Sequence, residues 1–90
     1  MNLRTLIPTI SSLDDDLTIF VSIGAITESS EVSVINIDDD DTPIGMRELI
    51  DVSHAQEVLS GIMALEPSLR APDAKDRLVE RFIRYLYNDA

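Results

Sequence analysis

The 90-residue sequence predicts a two-layer α+β domain, in which a small antiparallel sheet of about three strands packs against two C-terminal helices. Residues 17–23 and 31–37 are β-branched, apolar stretches with the two-residue alternation of strands. Farther along, apolar residues recur at helical spacing over 55–63 and again over 78–86. Strands first and helices afterwards is the order of an α+β domain, not of an alternating α/β one. One domain spanning residues 1–90 is expected, because a chain of this length can bury roughly 60 to 65% of its unfolded surface. Its 44% apolar residues can offset the entropy of ordering, which argues against disorder.

At the N-terminus Leu3, Leu6, Ile7 and Ile10 keep helical spacing. Pro8 lacks a backbone donor and disfavours helix at Ile7, so at most a short turn is expected there. Residues 11–16, Ser-Ser-Leu-Asp-Asp-Asp, carry side chains that satisfy nearby backbone groups and read as a connector. In the first strand Leu17, Ile19, Val21 and Ile23 share one face, while Thr18, Phe20 and Ser22 share the other. Gly24 opens a polar connection to the second strand. There the phase slips, because Val32 and Val34 fall on one face and Ile35 and Ile37 on the other. Either a bulge near Val34 and Ile35 or a central strand covered on both faces accounts for this. A loop over 38–45 leads to a third strand at 46–52, with Ile50 and Val52 inward; helix is the alternative at Arg47, Glu48 and Leu49.

Ser53 and Gln56 have the spacing of a capping box, which would satisfy two free N–H groups at the start of a helix. Its apolar stripe is Ala55, Val58, Leu59, Ile62 and Met63. Gly61 inside it costs ~1 kcal/mol against Ala, which implies a close approach to the sheet. Pro67 ends this helix. Asp73, after Pro72, is placed to cap the last one, whose stripe is Leu78, Val79, Phe82, Ile83 and Leu86. The pairs Asp73–Arg77 and Glu80–Arg84 have i,i+4 spacing and favour helix.

The chain has no Cys, which excludes disulfides, thiolate metal sites and thiol nucleophiles. No apolar run reaches the roughly 18 residues of a membrane span, and the N-terminus runs into Pro8 rather than a signal-peptide segment. A cytoplasmic protein is expected. The formal charge is −10, unevenly placed: residues 1–69 carry −11 and residues 70–90 carry +1. Such a field repels nucleic acid and anionic membranes and draws a basic protein.

The densest charge is the run Asp38, Asp39, Asp40 and Asp41. A calcium-binding EF-hand loop needs acids at positions 1, 3 and 5, Gly at 6 and Glu at 12. Counting from Asp38 puts Pro43 at 6 and Leu49 at 12; counting from Asp40 recovers Gly45 but puts Thr42 and Ile44 at ligand positions. No metal or cofactor is therefore expected. The functional reading is recognition of a basic partner by Asp38–Asp41, joined by Asp14, Asp15 and Asp16 if that connector lies at the same end of the sheet. The plain alternative is a solvated turn, since Asp-Thr-Pro-Ile-Gly is ordinary turn chemistry.

Asp51, Ser53 and His54 include the residue types of a hydrolytic triad, but they are near neighbours and no Gly-x-Ser-x-Gly elbow is present. His54 is the single histidine, so histidine pairs for a metal do not exist. A catalytic dyad would need Asp51 with Glu48 or His54 in one cleft. Arg70, Lys75, Arg77, Arg81 and Arg84 are interleaved with acids and read as an ion-pair face. Tyr85 and Tyr87, or an exposed edge strand at 17–23, would serve a homodimer.

The stretch Leu-Ile-Asp-Val-Ser-His-Ala-Gln-Glu-Val-Leu-Ser-Gly-Ile, 49–62, resembles a helix start of the form LEV..A.EVLEG. It occurs, after a turn and strand, in a group of small uncharacterised bacterial proteins. The resemblance covers residues 11–62 and rests on Leu49, Val52, Ala55, Glu57, Val58, Leu59 and Gly61. It implies a bacterial cytoplasmic domain and assigns no catalytic residue. The resulting expectation is a small acidic, non-enzymatic protein–protein interaction module of inhibitor or immunity type.

Overall fold

The structure is a computed structural model that describes residues 1–38 and 41–89. Three strands, β1 (Thr18–Ser22), β2 (Val32–Ile35) and β3 (Met46–Asp51), form one antiparallel sheet in the order β2-β1-β3. On one face lie α1 (Leu3–Leu6) with the 3-10 segment Ile7–Ser12, α2 (Val52–Leu65) and α3 (Lys75–Asp89). The fold is the small α+β arrangement that the strand and helix periods imply.

The helical spacing at the N-terminus outweighs Pro8. The chain stays helical from Leu3 to Ser12, changing from α to 3-10 at Ile7, where Pro8 in the first turn needs no donor. Leu3, Leu6, Ile7 and Ile10 are all buried at 1% exposure or less, at the centre of the core. Asn2 caps this segment, accepting from the Thr5 N–H at 2.9 Å.

β1, not β2, is the central strand. Ile19 and Val21 face the helices, yet Thr18 and Phe20 on the opposite face are buried as well. No register slip occurs between β1 and β2, so the phase change at Ile35 marks the end of a short edge strand rather than a bulge. The bulge lies in β3: Ile19 pairs with Ile50 and Phe20 with Glu48, leaving Leu49 as the extra residue. The first strand also ends early, and Ile23 is exposed instead of inward. Ile26 in the polar connection is buried, and Ser30 beside it orders the turn by accepting from the Thr27 N–H.

α2 begins at Val52, one residue before the expected cap, so Ser53 lies in its first turn and the capping box does not form. Gln56 instead donates to the carbonyls of Ile10 and Leu13, at 3.1 and 2.9 Å, and fastens α2 to the N-terminal segment. Gly61 is exposed with open space where a Cβ would stand, so no close approach requires it. Asp73 lies within a 3-10 turn, Pro72–Ala74, ahead of α3. Arg77 therefore pairs with Glu66, which Arg81 also contacts, while Glu80–Arg84 forms as expected. Both helical stripes pack inward, with Phe82 fully buried between α3 and the rest of the core. Among the described residues no helix is long and apolar enough to cross a membrane.

Candidate functional site

The strand register decides where the carboxylates gather. Thr18, the first residue of β1, pairs with Ile35 at the end of β2 and with Asp51 at the end of β3. Asp14–Asp16 precede Thr18, and Asp38 follows Ile35 by three residues, so Asp14–Asp16 and Asp38 lie toward the same end of the sheet. Asp51 stands there too, accepting weakly from the Thr18 hydroxyl at 3.4 Å. Asp39 and Asp40 lie outside the described residues. Asp41 is exposed in the connection to β3, which Gly45 (φ +79°) turns into the strand.

Hydrogen bonds from main-chain N–H groups hold the described parts of these segments. The Leu17 N–H donates to the Asp14 carbonyl at 3.3 Å, closing a turn that leaves Asp14, Asp15 and Asp16 exposed. The Asp38 N–H donates to the Asn36 side-chain oxygen at 3.0 Å, an Asx turn that orients the chain as it leaves β2. The Val52 N–H donates to the Leu17 carbonyl at 3.0 Å, tying the start of β1 to the start of α2. Among the described residues, ion pairs involve Arg4 with Glu28 and Asp76, Arg77 and Arg81 with Glu66, and Arg84 with Glu80. None of these neutralises Asp14, Asp15, Asp16, Asp38, Asp41 or Asp51. Among the described residues no three acidic or histidine side chains converge as a metal site requires.

A cleft of about 250 Å³ opens beside this end, lined by Glu48, Leu49, Ile50, Asp51, His54, Tyr85 and Leu86. The Tyr85 hydroxyl and His54 Nε2 are 3.2 Å apart, and the two rings meet edge to face. The cleft thus collects the groups a catalytic dyad would need. Glu48, Asp51 and His54 are nevertheless all exposed, so solvent enters freely and the water exclusion that strengthens acid–base groups is missing. His54 is engaged with Tyr85 across the cleft, while Ser53 is exposed in the first turn of α2.

Of the two surfaces expected to serve a dimer, the strand is not an edge and the tyrosines make intramolecular contacts. Thr18–Ser22, within the expected 17–23, form the central strand, flanked on both sides, and offer no free edge. The Tyr87 hydroxyl donates to the Ile26 carbonyl, and Tyr85 meets His54. Asp51 was not expected at the acidic end; only the pairing of β3 with β1 reveals it, and strand order is not written in local periodicity. Comparisons with protein-family models, curated proteins and solved structures gave no match.

Proposed function

We propose that this chain is a small acidic, non-enzymatic protein–protein interaction module, a bacterial inhibitor or immunity-type protein that presents its Asp-rich end to a basic partner. One observation carries the reading: Asp14–Asp16, Asp38 and Asp51 come to one end of the sheet, and among the described residues none of them is in an ion pair. Converging like charges raise the energy of the free chain, and a complementary surface relieves that cost while raising the association rate. A nucleic-acid-binding cleft on a toxin is the type of surface that fits, with the carboxylates imitating phosphates. The same charge disfavours direct binding to nucleic acid or to an anionic membrane. No cofactor enters this mechanism. The test is capture from nuclease-treated lysate with elution along a salt gradient: a basic protein should release as exposed charges become screened beyond ~8 Å near physiological ionic strength. Retention of that protein at high salt would contradict the electrostatic reading.

Self-association is the second reading, favoured by a different surface. Ile23 and Ile44 are exposed at 71% and 103%, and the Ile23 N–H donates to the Gly45 carbonyl, so the two lie close together at the other end of the sheet. A homodimer through this apolar tip would hold the acidic ends apart. Light scattering across a concentration series distinguishes it: a mass that doubles with concentration supports the dimer, and a constant monomer mass rejects it.

A further inference from the structure

A second surface has the opposite charge from the acidic end. A groove of about 170 Å³ is lined by residues of the 3-10 segment Ile7–Ser12, of α2, of the turns at 67–74 and of the start of α3. Its apolar lining is the core itself: Leu59, Leu69 and Leu78 are buried, and half-buried Met63 adds an adaptable side chain. Pro8 and Pro72 line it as well, so part of its backbone is already fixed and costs little to order when a ligand arrives. In a chain of net charge −10, none of the residues lining this groove is acidic. Its charged members are Arg70 and Lys75, and among the described residues neither is in an ion pair. Lys75 opens α3 three and four residues before the buried Leu78 and Val79, so its stem leaves from the helix face that is turned to the core. Arg70 ends the turn Pro67–Arg70 directly after the buried Leu69. Of the nearby acids, Asp76 contacts Arg4, and Asp73 is exposed outside the lining.

We propose that this groove takes the C-terminal residue of a partner polypeptide, with a branched apolar side chain against Leu59, Met63, Leu69 and Leu78 and the α-carboxylate held by Arg70 and Lys75. Size and charge together select this ligand. The volume lies below the ~300 Å³ at which pockets for drug-sized molecules begin, so one side chain fits and a nucleotide does not. Two cations beside an apolar lining call for an anion and an apolar group on the same short ligand. Within a polypeptide only the last residue carries both on one Cα, and capture of a terminal carboxylate is a recurring mode of peptide recognition. The Arg70 guanidinium offers the carboxylate a planar fork and the Lys75 ammonium a point charge. The inference goes beyond the basic-partner reading and does not depend on it, because no residue of the acidic end lines this groove.

The experiment is a ¹⁵N–¹H correlation titration of the full chain with the N-acetylated peptide Gly-Ser-Gly-Leu bearing a free C-terminus. Its C-terminal amide, the same peptide ending in Ala, and the free acid isocaproate are titrated beside it. The Leu peptide should give saturable shifts centred on Ser11, Leu59, Met63, Leu69, Arg70 and Lys75. The amide should bind about tenfold more weakly, because it lacks the charged acceptor, and the Ala peptide should also bind more weakly. The double variant Arg70→Gln, Lys75→Gln should lose the preference for the free acid over the amide; both side chains are exposed, and the same spectrum confirms that the variant is folded. No saturable response to the Leu peptide, equal binding of acid and amide, shifts centred on Arg81 and Arg84 instead, or an unchanged preference in the folded variant would each overturn the proposal. Isocaproate bound as tightly as the peptide would make the ligand a small free acid and overturn the polypeptide assignment.

Discussion

Gly61 and Gln56 show how single residues keep a local meaning that only packing decides. A glycine inside a helical stripe announces either a close contact or a tolerated cost, and the open space above Gly61 identifies the second. Gly61→Ala should therefore stabilise the protein by about 1 kcal/mol, read as a higher denaturant midpoint at unchanged slope. A lower midpoint would mean that another chain or a different packing occupies that space. Gln56 was legible as a residue near a helix start, but its partners were not. The capping-box pattern offers Gln56 a local donor, the Ser53 N–H, whereas the folded chain offers two carbonyl acceptors more than forty residues away, at Ile10 and Leu13. No periodicity in the sequence encodes that meeting.

Among the elements, apolar period was the reliable signal and its interruptions were not. The two C-terminal stripes and the N-terminal spacing of Leu3, Leu6, Ile7 and Ile10 all end in the core, even where Pro8 argued for a break. The phase slip in β2 was real as a pattern but belonged to a strand that stops at Ile35, while the actual bulge falls at Leu49, inside a stretch with no clean alternation. The Gln56 side chain joins α2 to the 3-10 segment, and this link should matter more than its half-burial implies. Gln56→Ala should cost about 1–2 kcal/mol, because it strips one partner from each of two carbonyls at an element junction. Hydrogen exchange should rise first in residues 7–13. Uniform loosening of the whole chain would show instead that the link is not local.

At the scale of the molecule, charge is distributed against stability. Arg4, Arg77, Arg81 and Arg84 form ion pairs with Glu28, Asp76, Glu66 and Glu80, while among the described residues the carboxylates at the Thr18 end of the sheet are in none. Replacing Asp14, Asp15 and Asp16 with Asn keeps the turn, since the Asp14 carbonyl closes it, and removes like-charge repulsion. The triple variant should unfold at higher denaturant than wild type in low salt, with the gain shrinking as salt rises. A gain independent of salt would place the effect in turn propensity instead. That the chain is acidic was plain from composition, and that two aspartate segments could meet was a conditional expectation. The register of β1 with its two neighbours brings Asp38 and Asp14–Asp16 toward one end of the sheet, a long-range pairing that composition cannot supply, while Asp39 and Asp40 lie outside the described residues.

The central claim is that the carboxylates at this end form one recognition surface. Its most direct test is parallel capture from source-cell lysate by wild type and by a folded variant with Asn at 14–16 and 38–41. The account predicts that wild type retains one basic protein in defined stoichiometry and releases it with salt, and that the variant does not retain it. Capture of the same protein by both forms, or of nothing but further copies of the chain, would contradict it and leave the aspartates as solvated turns.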